Sequence, residues 1–232
     1  MSSPSDDYKV LADTFTSWWR ELQDLDKKTG EPKKESNGHR DRAALAQLRR
    51  INVTPGSDGA PLIDIGSAWE ISEFRELIER ICRYRKTLKN IHVRKWLDGD
   101  TLTLEPFAIA AAALARIRED STPVDKGKGE TLHKRGATAR LLGAGESRPL
   151  AEVRFKRLMR CRNDWPDQMI QARRIAAILE RRAPVGDLAA STVLWNAEPR
   201  IVRDWAFQYY QEDFQPAPVA PAASSPSSPS TP

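Results

Sequence analysis

A chain of 232 residues, 40% of them hydrophobic and 30% charged, is long enough to bury a sizeable core, as one domain or two small ones. No apolar run reaches membrane-spanning length, the nearest being the alanine-rich Phe107 to Ala115. The opening MSSPSDDYKV has no basic segment followed by an apolar one, so a cytoplasmic protein with no membrane partner is expected. A net charge of +5 and a pI near 9.3 call for an anionic partner, while Cys82 and Cys161, far apart and without CxxC spacing, signal neither a zinc knuckle nor a redox pair.

Residues 1 to 7 read as a loose polar start. From Tyr8, the spacing of Val10, Leu11, Phe15, Trp18, Trp19, Leu22 and Leu25 predicts an amphipathic helix with both tryptophans in the core rather than offered as a base-stacking platform. Lys27 to His39 reads as a charged loop. A second helix, Arg40 to Ile51, points Ala44, Leu45, Leu48 and Ile51 inward, with Arg42 and Arg49 on a shared face and Arg50 beside them. Val53 to Gly66 is a turn-rich connection, holding Pro55, Gly56, Gly59, Pro61 and Gly66. Trp69 to Trp96 is expected as one long or two shorter helices. Its sign runs from Glu70, Glu73, Glu76 and Glu79 to Arg80, Arg83, Arg85, Lys86, Lys89, Arg94 and Lys95, as a helix dipole prefers.

Leu104 to Ile117, with Pro106 early and alanine throughout its body, predicts a close-packing helix. The glycine-rich 118–146, with a short helix over Thr138 to Leu142, divides an N-terminal helical domain (8–117) from a C-terminal one (147–214). Beyond that, Asp187 is placed to cap a helix running to Ala197. Pro199 opens a last helix with Ile201, Trp205 and Tyr209 on one stripe. From 215 to 232 the composition falls to Pro, Ala and Ser, a disordered tail. The fold class expected is all-α, two small helical bundles plus that tail.

Charge gathers in Ser147 to Arg182, two helices joined at Asn163-Asp164-Trp165-Pro166. This stretch holds ten Lys or Arg against four Asp or Glu, a balance of +6, and the remainder of the molecule sums to −1. Ser147 and Pro149 mark the start of its first helix, which turns Ala151, Phe155, Leu158 and Met159 inward. Arg154, Lys156, Arg157, Arg160 and Arg162 occupy the rest, uninterrupted by acid. Pro166 opens the second helix, whose stripe of Ala172, Ile175, Ala176 and Leu179 leaves Arg173 and Arg174 to one side. Arginine suits forked contacts to phosphate oxygens. Arg181 and Arg182 are set aside as answers to the helix dipole.

These residues carry a resemblance. Pro149-Leu150-Ala151-Glu152, Arg154-Phe155 and Arg157-Leu158-Met159-Arg160 resemble the C-terminal helical motif of the small (CasB-type) subunit of the type I-E CRISPR surveillance complex, Cascade. Asp41-Arg42-Ala43-Ala44-Leu45 with Leu48-Arg49-Arg50 is similar to that family's Asp-Arg-Ala-x-Leu-Arg-Arg element, lengthened here by Ala46-Gln47-Leu48. The aromatic pair of the first helix and the closing Val202-Arg203-Asp204-Trp205-Ala206 with Tyr209-Tyr210 look like the family too, so the resemblance spans about residues 8 to 212. It implies a non-catalytic all-α subunit, present as two copies beside large and backbone subunits. Such a subunit helps to hold guide RNA, target DNA and the displaced strand of an R-loop through backbone phosphates. On this reading Arg154, Arg157, Arg160 and Arg173 are the first candidates for phosphate contacts, then Arg42, Arg49, Arg50 and Arg174, then Lys156 and Arg162.

Nothing in the sequence assembles catalysis or a cofactor. His39, His92 and His133 read as surface or loop residues without ligand spacing, so no metal is expected. Lys126-Gly127-Lys128-Gly129 lacks the ending of a phosphate loop, and Asp64 with Glu70 has no lysine placed as a nuclease would need. An α-helical adaptor whose basic face meets an acidic protein is the rival from another class. A small nuclease is the third reading.

Overall fold

The computed structural model describes residues 6–25, 41–98, 102–122, 133–145 and 147–211. The expected loop at 27–39, the phosphate-loop look-alike at 126–129, His39 and the tail from 215 lie outside the described residues. The described chain is helical, as its apolar periodicity demands, with four very short strands. In order the elements are α1 (Asp6–Leu22), α2 (Arg42–Arg50), β1 (Val53–Pro55), β2 (Pro61–Ile63), α3 (Ile65–Glu70), α4 (Ser72–Arg83), α5 (Ile91–Trp96), α6 (Glu105–Leu114), β3 (Glu119–Asp120), α7 (Ala137–Gly143), α8 (Glu152–Arg160), α9 (Trp165–Ile178), β4 (Arg182–Ala183), α10 (Val185–Leu194) and α11 (Pro199–Tyr209).

Two helices form the centre, each buried on every side. All of α6 from Pro106 to Leu114 is buried, and so is all of α10. α10 packs on α1 and α6, and α6 packs on α9. Trp18 and Trp19 are fully buried in α1, as the spacing requires. The buried residues on either side of 118–146 belong to one hydrophobic cluster, running from Tyr8 to Tyr209. Small side chains permit this closeness. At Gly143 an added Cβ would stand 2.1 Å from the Tyr209 carbonyl oxygen, so α7 meets α11 backbone to backbone.

Several elements differ from what the sequence predicts. The turn-rich connection holds a β-hairpin, with Val53 opposite Ile63 around Gly56 and Gly59. The stretch from Trp69 to Trp96 takes the expected alternative of two shorter helices, α4 and α5, preceded by the end of α3. Asn90 caps α5 by accepting from His92 and Val93. α8 starts at Glu152 rather than near Ser147, because the Leu150 amide donates to the Leu142 carbonyl and keeps the preceding segment out of the helix. Asp164 caps α9, accepting from the Asp167 amide at 2.9 Å, and Pro166 stands in the first turn as expected. His133 lies in a loop, one of the two expected settings, but its side chain is only 3% exposed, with Nε2 3.0 Å from an Asp13 carboxylate oxygen.

Asp187 does not cap its own helix, as its place in the sequence suggests. It lies inside the first turn of α10 and caps a different one. Its carboxyl oxygens accept from the amides of Gly136 and Thr138, 2.8 and 2.7 Å away, at the start of α7. Gly136 supplies the left-handed turn there, at φ 76°. The Tyr8 hydroxyl of α1 donates at 2.6 Å and Ser191 at 3.1 Å. Burial first, then the Asp187 charge, pushes the Tyr8 hydroxyl well above the usual tyrosine range, so it remains a donor at any ordinary pH. Tyr8→Phe should therefore lower unfolding free energy by about 1–2 kcal/mol, and Asp187→Ala, which orphans several buried donors at once, by at least about 3 kcal/mol. Urea denaturation of the two variants and the double variant should show losses less than additive, because they remove one shared bond.

Candidate nucleic-acid interface

The α8–α9 hairpin is held from below before it presents any charge. Phe155 stacks face to face on Tyr209 with centroids 3.7 Å apart, and the Tyr209 hydroxyl donates to the Leu150 carbonyl at 2.5 Å. At the hairpin's bend, Asn163 takes a left-handed φ of 60°, and its amide donates to the Asn196 side chain at 2.9 Å. The Trp195 indole donates to the Cys161 carbonyl at 2.9 Å. The α8 wall and the bend are thus fixed by α11 and by Trp195 and Asn196, the residues that follow α10.

Between α8 and α9 runs a groove of ≈ 390 Å³ whose rims carry Arg154, Arg157 and Arg174. Its floor includes Leu150, Leu158, Ile175 and Ile178. Gln171, the remaining polar group in the lining, donates its amide to Asp167 at 3.0 Å. What is left to meet a ligand is guanidinium and hydrocarbon. Guanidinium groups of this kind suit the forked geometry of phosphate oxygens. Arg154 and Arg174 are exposed and have no carboxylate partner among the described residues. Arg157 is 66% exposed and stands 3.6 Å from Asp167, a loose pair worth little in water.

The other candidates divide. Arg160 and Arg162 continue the exposed run at the end of α8, and Arg42 and Arg50 are exposed on α2; none of the four lines the groove. Lys156 is bonded to Glu152 at 2.7 Å, which raises the ammonium above its usual range and lowers the carboxyl, so this lysine offers less field than its neighbours. Arg49 and Arg173 do not project outward as the helical wheel places them. The Arg49 Nε donates to the Ala115 carbonyl at 2.7 Å. Arg173 reaches across to donate to Asn52 Oδ1 at 2.9 Å, to the Arg49 carbonyl at 3.2 Å and to the Ile51 carbonyl. It thereby answers the orphan carbonyls at the end of α2. Burial, then repulsion from Arg116, holds the Arg173 guanidinium below its usual range.

Sequence reasoning passes over a second basic group. Arg49, Arg116, Arg118 and Arg181 line an adjoining groove of ≈ 380 Å³, which shares Ala177 with the first. From the sequence Arg181 reads as a helix-end residue, yet α9 ends at Ile178 and Arg181 lies beyond it. The pair Arg116 and Arg118, straight after the alanine-rich helix, is the signal the sequence offers.

Of the acid pair that a nuclease reading would use, Asp64 is committed elsewhere: it caps α3, accepting from the Ser67 amide and hydroxyl, bonds that lower its carboxyl below the usual range. Among the described residues no group of three or more His, Cys, Asp or Glu side chains could hold a metal ion. No described helix is long and apolar enough to cross a membrane.

The family model of the CRISPR-associated protein Cse2 matches residues 44–210, from within α2 to the end of α11. The chain belongs to the Cse2 family. It is a small, CasB-type subunit of a type I-E CRISPR Cascade complex. Searches of curated proteins and of solved structures returned no significant match. The Cse2 match includes both walls of the α8–α9 groove and the hairpin that follows α2.

The division of the arginines is measurable without any ligand. Arg173→Ala should cost about 2 kcal/mol of unfolding free energy, because it orphans helix-end carbonyls, whereas Arg174→Ala should stay within about 0.5 kcal/mol. Chemical denaturation of the two single variants decides it.

Proposed function

We propose that this Cse2 chain holds nucleic acid within Cascade without catalysing a reaction, gripping the phosphate backbone of an R-loop through the α8–α9 groove. The observation that carries the reading is the convergence of Arg154, Arg157 and Arg174 over an apolar floor. Three guanidinium groups on two braced helices make a preorganised anion track, with little side-chain entropy left to lose per bond formed. Arg160, Arg162, Arg42 and Arg50, exposed on the same molecule, extend the positive field that draws a strand in, and Lys156 adds to it weakly. Arg49 and Arg173 serve by position, fixing α2 against α6 and α9.

Contacts of this kind give affinity without sequence choice, and that suits a complex in which guide pairing selects the target. The partners on this reading are guide RNA, target DNA and the displaced strand. Backbone and large Cascade subunits and a second copy of the chain complete the assembly.

The test is a salt titration of binding to labelled duplex DNA. Replacing Arg154, Arg157 and Arg174 together with alanine removes three phosphate contacts, so the log–log salt slope should flatten by about 2.7 and affinity should fall alike for unrelated sequences. The unfolding midpoint should hold, since these side chains face outward and alanine favours helix. Unchanged binding by a folded triple variant would defeat the groove assignment. Absence of any nucleic-acid binding by the unmutated chain would favour an adaptor for an acidic protein.

A further inference from the structure

Resting on that reading, we infer that the groove lined by Arg116, Arg118 and Arg181 is a second phosphate site, and that one nucleic-acid strand runs through both grooves along the C-terminal half of α9. The two grooves meet at Ala177, which lines both, so a strand leaving Arg174 can pass on to Arg181. From Arg174 to the end of α9 at Ile178 is four residues, roughly 6 Å at helical rise, which is about two nucleotides of one strand at 3.4 Å each, and Arg181 stands beyond that end.

Three observations on the second groove point to a ligand rather than to packing. The first is its charge: four arginines line it with Glu180 as the sole acid, and Arg118 and Arg181 are exposed with no carboxylate partner among the described residues. The second is Arg116, whose Nε is buried and lacks a hydrogen-bond partner in the described structure. A guanidinium NH left so is costly, and Arg116 also repels Arg173 behind it; a phosphate in the groove would answer both.

The third is backbone strain. Glu180 and Arg181 follow one another at φ 49° and 74°, a left-handed pair at positions where glycine or asparagine ordinarily stands. The Arg181 carbonyl accepts from the amides of Arg118 and Glu119, at 2.7 and 3.1 Å, and β3 and β4 pair in parallel beside it. Arg20 of α1 closes the corner with a buried bond to Asp120 at 3.4 Å. The strained turn therefore sets Arg118 and Arg181 on one wall. Glycine at 181 would hold the same turn more easily, so what arginine adds there is its side chain.

The experiment compares four forms of the full chain on a labelled oligothymidylate of about 12 nucleotides, by anisotropy across a salt series. The forms are the unmutated protein, Arg118→Ala with Arg181→Gly, Arg182→Ala, and the triple variant of the first groove. The double variant should bind about tenfold or more weakly, with the log–log salt slope flatter by about 1.4, and its unfolding midpoint should be unchanged or higher because a left-handed arginine has been relieved. Arg182→Ala, whose guanidinium pairs with Glu119 and lines neither groove, should stay within about twofold. Stoichiometry should be one strand per chain.

If the double variant binds as the unmutated chain does while the triple variant fails, the second site is refuted and the first stands. Equal losses for Arg182→Ala would reduce the effect to bulk charge and refute it as well. Two strands per chain would refute the single track. Full binding by both groove variants, or no binding by the unmutated chain, would remove both readings. Should glycine at 181 unfold the protein, Arg118→Ala alone, an exposed side chain, distinguishes the same outcomes at half the slope change.

Discussion

The carboxyl group of Asp187 is buried where three helices converge, and four donors close around it: the Tyr8 hydroxyl, the Gly136 and Thr138 amides and the Ser191 hydroxyl. A carboxyl group taken out of water is tolerable only when its oxygens are answered, and here they are answered by groups far apart in sequence. The consequence is directional. Hydrophobic burial alone would let α10 rotate or slide against α1 and α6, since α10 is buried on all sides. Asp187 permits one azimuth, the one in which it meets Tyr8 and the start of α7.

The chain of dependence runs outward from there. α7 meets α11 through Gly143 at backbone distance, and α11 carries Tyr209, on which Phe155 of α8 stacks. α10 leads directly to Trp195 and Asn196, which fix the bend between α8 and α9. The groove is therefore referred back, through two layers of contacts, to a buried polar junction. A binding surface made of exposed arginines benefits from this, because the helices that bear them need no ordering when a ligand arrives.

Charge in this Cse2 chain is used in two distinct ways. Arg49 and Arg173 direct their donors to main-chain carbonyls and brace α2, and Arg80 reaches Glu21 and Glu76, so that α1 and α4 are joined by a bidentate pair. Arg154, Arg174, Arg118 and Arg181 have no such partner among the described residues and line open grooves. The first use stabilises the fold, and the second is what the proposed hold on a strand would draw on.

Periodicity determined most of the helices, since an apolar residue every three or four positions has one stable outcome in water. α1, α2, α6, α7, α9 and α11 lie near where that spacing puts them, and Trp18 and Trp19 are in the core. Motif order along the chain was also legible, and with it the family that the match over residues 44–210 shows. Sequence alone reached a concentration of positive charge in residues 147–182. What it could not reach was the direction of each arginine. A helical wheel sorts residues by angle around one axis, whereas whether an angle faces water depends on the neighbouring helix: Arg173 meets the end of α2, and Arg49 the end of α6. For the same reason Asp187 caps a helix about fifty residues away rather than its own, and Arg118 and Arg181, sixty-three positions apart, share one wall. Those outcomes rest on contacts between distant segments, which only the packed molecule brings within reach.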